Sequence, residues 1–201
     1  MEGKNLVEFC VVKGGKRLPK GYGFESCQTE YPYIRVSDFV DGTVSEENLK
    51  YVSEDVRQHI SRFPISKDDI YISIAGTIGI VGQVPVKFDG ALLTENATKI
   101  IVKDKFVDNK FLAILMSSQH IKRQFNNATR IGGGVPKLAL FRIENTTVSI
   151  PPMLEQISIK ETIVAIDNAI TNKKQRLKKM KLLKSSFMQD HLTGKVRVKV
   201  N

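Results

Sequence analysis

The sequence predicts an α+β domain of short strands and a few helices over residues 1–150, followed by one long helix and a tail over residues 151–201. Three observations carry this. Short runs rich in β-branched and aromatic residues, punctuated by Gly, Pro and Asp, recur through the first part. One capped amphipathic stretch, beginning at Asp108, interrupts them. From Met153 to Asp190 the chain then contains neither Pro nor Gly. At ~1.5 Å per residue, those roughly 38 residues make a rod of about 57 Å.

Taken in order, Leu6 to Val12 is a Val- and Phe-rich strand. The segment Lys13-Gly14-Gly15-Lys16-Arg17-Leu18-Pro19-Lys20-Gly21-Tyr22-Gly23 is irregular because of its glycines and proline, and it concentrates Lys13, Lys16, Arg17 and Lys20. No Gly-Lys-Ser/Thr opens a helix there, so it is not a P-loop; it reads either as a solvated surface loop or as a phosphate-contacting one. Tyr31 to Val36 is a second strand, with Pro32 keeping it at an edge or a start, and Asp38, Asp41 and Gly42 form a turn. Ser53 caps a short helix whose first turn holds Glu54 and Asp55. Asp68 to Ala75 and Ile80 to Val84 form a hairpin through Gly76-Thr77-Ile78-Gly79, and Thr98 to Val102 is a further strand. Asp108 caps a helix from Asn109 to about Phe125, with Phe111, Leu112, Leu115, Met116 and Ile121 as its buried stripe. The Gly132-Gly133-Gly134 run within Arg130 to Lys137 either allows close backbone approach to a partner or serves as a passive hinge. Thr146 to Ile150 is a last strand before Pro151-Pro152.

The long helix has a sticky face. Ile159, Ile163, Ile166, Ile170, Leu177, Met180 and Phe187 recur at coiled-coil spacing, with Lys173 in the slot between Ile170 and Leu177. The alternative is a long amphipathic helix packed on its own domain. Charge placement favours a helix pair and sets its sense. Glu155, Glu161 and Asp167 lie in the first half; Lys173, Lys174, Arg176, Lys178, Lys179, Lys181 and Lys184 crowd the second. Antiparallel pairing places acid against base, so an antiparallel coiled coil is expected.

Net charge is +10 with a pI near 9.6, which points to an anionic partner, nucleic acid first. The excess is uneven: the first 152 residues carry 20 Lys and Arg against 17 Asp and Glu, so a DNA surface there depends on local clustering. Cys10 and Cys27 have neither metal-ligand spacing nor a disulfide framework. No apolar run approaches a membrane span and no signal peptide is evident, so a cytoplasmic protein without a membrane role is expected. Enzyme signatures are missing too. There is no Gly-rich cofactor loop after a strand, no helical His pair and no Asn-Pro-Pro-aromatic tetrapeptide; the lone Glu-x-Lys is at Glu2-Gly3-Lys4, out of context for a nuclease. His59, His120 and His191 are scattered. A binding module with no cofactor is the reading.

Four motifs in fixed order then bear a resemblance. They are Gly14 to Gly21 after the first strand, Tyr33-Ile34-Arg35-Val36-Ser37-Asp38 with the Asp41-Gly42 turn, and Asp69 to Ala75 running into Gly76-Thr77-Ile78-Gly79. The fourth is Pro151-Pro152-Met153-Leu154-Glu155-Gln156 opening a helix that ends in Leu192-Thr193-Gly194-Lys195-Val196-Arg197-Val198. Together they resemble one half of a type I restriction-modification specificity (S) subunit, over nearly the whole chain. The resemblance implies a target-recognition domain that reads half of a split double-stranded DNA site. It also implies a helix that is both spacer and docking rail for modification (methyltransferase) subunits, and a restriction subunit joined through the complex. Catalysis would belong to the partners.

The family's full-length form has two recognition domains and two helices; here there is one of each. Two readings follow, a natural half-subunit that dimerises or the C-terminal half of a split gene, and the charge pattern favours a homodimer. Lys16, Arg17 and Lys20 are candidate phosphate contacts, and Thr77, Arg130 and Lys137 candidate base-edge contacts. Ile163, Ile166, Ile170, Leu177, Met180 and Phe187 are the expected dimerisation residues. The rival readings are a protein-interaction scaffold and a coiled-coil dimeric regulator that does not read DNA through its domain.

Overall fold

The structure, a computed structural model, describes residues 3–129 and 137–197. It divides into two compact units, Met1–Ile157 and Ser158–Asn201. In chain order the elements are β1 (Lys4–Asn5), a 3-10 turn, β2 (Cys10–Gly14), β3 (Pro32–Ile34), β4 (Phe39–Val40), β5 (Thr43–Val44), β6 (Lys50–Tyr51), α1 (Glu54–His59), β7 (Pro64–Ile65), β8 (Ile70–Ser73), β9 (Val81–Gln83), β10 (Ala91–Leu93), β11 (Ala97–Val102), α2 (Asn109–Met116), α3 (Gln119–Thr129), α4 (Leu140–Glu144), β12 (Thr147–Val148) and α5 (Met153–Leu192).

Two four-stranded sheets build the first unit. One is antiparallel, in the order β2-β11-β8-β9; the other is mixed, in the order β6-β3-β10-β7, with β10 parallel to β3. Strand alternation shows how they are layered. On β8, Ile70 and Ile72 join the cluster containing Leu112, Met116, Ile121, Phe125 and Ile143 of the helices, while Tyr71 joins Ile34, Phe39, Ile65, Leu93 and Ala97. On β10 and β3, Leu92 and Tyr33 face outward onto Val52, Val56 and Ile60 around α1. The order is thus helices α2 to α4, antiparallel sheet, mixed sheet, α1. Strands covered on both faces read as continuous apolar runs, which is why Ile70 to Ser73 is buried at every position. Between the sheets the largely buried Lys99 Nζ reaches the buried Asp69 Oδ2 at 3.1 Å.

Several local expectations need correction. The strand expected over Leu6 to Val12 is β2, which begins at Cys10 and runs to Gly14, so Lys13 and Gly14 belong to it rather than to the loop. Leu6–Glu8 is a 3-10 turn, because Glu8 Oε1 accepts from Asn5 N at 2.7 Å and closes the chain there. The helix expected from Asn109 to about Phe125 is two helices. Ser117 Oγ donates to Ile114 O at 2.7 Å and ends the first; Ser118 O accepts from Lys122 N at 3.0 Å and starts the second. Asp38 lies outside the Asp41-Gly42 turn and binds Arg35 instead, at 2.8 Å from Nη2 to Oδ1. The turn itself joins β4 to β5 with φ of 47° at Asp41 and 77° at Gly42, the left-handed pair that a tight hairpin demands. The last strand is only Thr147–Val148, paired with β1.

The start of α5 is bound into the first unit. Gln156 is fully buried; its Oε1 accepts from Asp108 N at 2.9 Å, and its Nε2 donates to Phe106 O and Pro151 O, both at 2.8 Å. In the second unit α5 continues without a break to Leu192.

Candidate nucleic-acid interface

Four segments meet at one edge of the first unit. The loop after β2, the turn between β10 and β11, the loop between β8 and β9, and the segment at Lys137 are joined there by backbone hydrogen bonds. Gly15 N donates to Ala97 O at 3.0 Å and Lys16 N to Leu93 O at 2.8 Å, tying the cationic loop to both sides of the β10–β11 turn. On the far side of that turn, Ile74 N and Ala75 N donate to Asn96 O at 2.8 and 3.3 Å. Ala75 in turn bridges to Lys137, and Leu138 N donates to Ile74 O at 2.8 Å.

The turn at the centre, Thr94 to Ala97, links one sheet to the other and is closed by Ala97 N donating to Thr94 O at 3.1 Å. Its packing explains the glycine beside it. A Cβ on Gly15 would fall 2.1 Å from Thr94 O and 2.4 Å from Leu93 O. The β8–β9 loop is held by Ser73, whose hydroxyl donates to Thr77 O at 2.5 Å and accepts from Ile80 N at 2.8 Å. Gly76 and Gly79 there have φ of 73° and 82°, conformations in which a side chain is strained.

Against this frame the expected contacts sort clearly. Lys16, Arg17, Thr77 and Lys137 are exposed and belong to the joined edge. Lys20 is exposed on the same loop, just before Gly21. Arg130 lies outside the described residues. Lys16 has its Nζ 5.6 Å from the centre of the Phe63 ring, and Tyr33 Oη donates to its carbonyl at 2.7 Å. Arg17 Nε donates to Glu95 Oε1 at 2.7 Å. That hydrogen bond, with the charge beside it, raises the Arg17 pKa. Burial works to raise the Glu95 carboxyl, but bonds from Arg17, its own backbone N–H and Thr94 leave it below its ordinary value.

Glu95 and Asn96 are the residues that sequence reasoning misses. A Thr-Glu-Asn tripeptide between Leu93 and the Ala97 to Val102 run is a turn signal, and it could have flagged this position. A cleft of about 390 Å³ opens at the edge, lined by Arg17, Phe24, Tyr33, Arg35, Thr94, Glu95 and Asn96 among others. A larger hollow, about 850 Å³, lies at the opposite ends of β8 and β9 and is rimmed by Lys67, Lys105 and Lys110. It shares no residue with the joined edge. Among the described residues no group of three or more His, Cys, Asp or Glu is placed to hold a metal, and no helix is long and apolar enough to cross a membrane.

The second unit presents the expected apolar seam to solvent. Ile166, Ile170, Leu177, Met180 and Phe187 are each between 46% and 55% exposed, and Ile163 is half-buried. The interruption is double, since Lys184 fills the slot between Met180 and Phe187 as Lys173 does the earlier one.

Comparison with known proteins agrees with this architecture. The family model for the type I restriction modification DNA specificity domain matches residues 1–182. The MjaVIII specificity subunit of Methanocaldococcus jannaschii, a type I restriction enzyme component, is 24% identical over 199 residues, covering 96% of this chain and 46% of that one. Among solved structures, the HsdS subunit from Thermoanaerobacter tengcongensis superposes with a TM-score of 0.61 at 19% identity, over 94% of this chain and 46% of that one. The S subunit of a type I restriction-modification system from M. genitalium gives 0.61 at 15% identity, over 94% and 45%. The chain spans about half the length of the relatives it matches.

Proposed function

We propose, from the premise that the chain belongs to the type I restriction-modification DNA specificity family, that it recognises a DNA sequence for a methyltransferase and restriction complex. It performs no catalysis of its own. Its first unit, with residues 1–150 as the recognition domain, reads one half of a bipartite double-stranded site. Modification subunits supply adenine methylation and a restriction subunit joins through them. With DNA as its target, the protein works in the cytoplasm.

One observation above all supports this reading. Exposed Lys16, Arg17, Thr77 and Lys137 lie on segments joined by backbone bonds at one edge, where Arg17 also lines a cleft. Cations that neutralise phosphates supply most of the affinity for a duplex, while donors on rigid loops read base edges. Two copies pair through Ile163, Ile166, Ile170, Leu177, Met180 and Phe187 in an antiparallel coiled coil and together read an inverted repeat. The exposure of that seam and the acidic-to-basic gradient along α5 support this pairing.

Binding of the full chain to random-sequence duplex DNA, with and without a modification subunit, tests the proposal. Association that weakens steeply with salt is expected. Lys16→Ala and Lys20→Ala each lower affinity on every sequence and reduce the salt slope by about one. A chain that binds no duplex in either setting is instead a protein-interaction scaffold.

A further inference from the structure

We infer that Arg17 reads a base edge rather than a phosphate, that Glu95 is its positioning residue, and that the base it selects is guanine. This rests on the DNA-reading function proposed above and assigns a role inside the same surface. A phosphate contact asks for net positive charge and tolerates a mobile side chain. Arg17 departs from the first of these. Its Nε donates to Glu95 Oε1 at 2.7 Å, so the pair is close to neutral and releases few counterions on binding. Glu95 also repels any phosphate oxygen that approaches the same place. Among the described residues no carboxylate is bonded to Lys16 or Lys20, which keep the phosphate role.

Glu95 is itself well anchored. It is the second residue of the Thr94–Ala97 turn, and its Oε2 accepts from Thr94 Oγ1 at 3.0 Å. The turn is bound on one flank by Thr94 N donating to Ile34 O at 3.0 Å, and on the other by Ile74 N donating to Asn96 O at 2.8 Å. A carboxylate fixed in this way holds the guanidinium by Nε alone, on a side chain that is 78% exposed. The two Nη groups are left as coplanar donors. That fork matches the O6 and N7 acceptors of guanine, and no other base shows two acceptors side by side in the major groove.

The test is selection from a randomised duplex library by the full chain, alone and co-expressed with a modification subunit, followed by competition with single-base variants of the selected site. Wild type is expected to enrich a defined sequence. Arg17→Lys keeps the charge but loses the fork. It should lose about tenfold or more of the preference for guanine at one position, leaving the other positions and the salt slope unchanged. Glu95→Gln keeps an acceptor oxygen but removes the negative charge, so it should relax the same position more mildly and steepen the salt dependence by about one. Unchanged base preferences in Arg17→Lys, or a loss at a base other than guanine, would overturn the assignment while leaving the DNA-reading function in place. A wild type that enriches no sequence removes that function and the inference together, and does so before any substitution is made.

Discussion

Arg17 and Cys10 show how little a residue's type says about its role until its neighbours are known. The cationic loop reads as a uniform patch in the sequence, yet one of its cations is paired with a carboxylate 78 residues away. No local pattern encodes such a partnership, and this is why Glu95 escapes a sequence reading while Lys16, Thr77 and Lys137, flagged by the glycines around them, do not. The two cysteines separate just as sharply. Cys10 is buried on β2, where burial first and the nearby Asp104 second push its thiol up to about 12; Cys27 is exposed. Since the thiolate is the reactive form, Cys10 stays protonated and silent through neutral and mildly alkaline pH. A thiol titration at about pH 8 is expected to find one reactive group in the native protein and both after denaturation. Two fast-reacting thiols in the native state would show that β2 does not enclose Cys10.

Among the elements, legibility follows length and chemistry. The β8–β9 hairpin, the Ser53 and Asp108 caps and the whole of α5 are visible in the sequence because each carries a period, a cap or a paired turn residue. By contrast β6, β7 and β10 are two or three residues long, too short to show alternation, and Ala91-Leu92-Leu93 lacks the β-branched composition that marks a strand. Only pairing with distant strands makes them strands at all. The same junction carries a stability prediction. Gly15→Ala places a methyl group inside van der Waals contact of two carbonyl oxygens that belong to backbone rather than to a movable side chain. A loss of about 1–3 kcal/mol or more is expected in urea unfolding. DNA affinity should fall alongside, since β2, β10 and β11 must part to accommodate the change. A variant as stable as wild type would mean that the junction is looser than its hydrogen bonds imply.

For the molecule as a whole, partnership turns on α5, where a row of half-exposed apolar side chains has no counterpart among the described residues of its own unit. Sedimentation of the pure protein at micromolar concentration is expected to give a dimer. Ile166→Glu with Ile170→Glu should shift it to a monomer by putting charges into the seam, without moving the unfolding midpoint of the first unit. A wild type that stays strictly monomeric would sink the homodimer proposal and leave the seam to a different protein. The sign of the charge gradient along α5 is legible from sequence; what it faces is not, because a single chain contains only one side of an interface.

The edge that gathers Lys16, Thr77, Glu95, Asn96 and Lys137 is joined mainly by main-chain amides and carbonyls, with side-chain bonds added by Arg17, Tyr33, Ser73 and Thr94 and room left for the turn at Gly15. Main-chain bonds are indifferent to which side chain each residue carries. On the proposed DNA-binding role, the exposed side chains of this edge can be varied as a set while the main-chain bonds beneath them stay in place. A library varied at those five positions should remain folded in most of its members, whereas one varied at Gly15, Ser73 and Thr94 should not. New sequence preferences would then come from exchanging an alphabet on a fixed page.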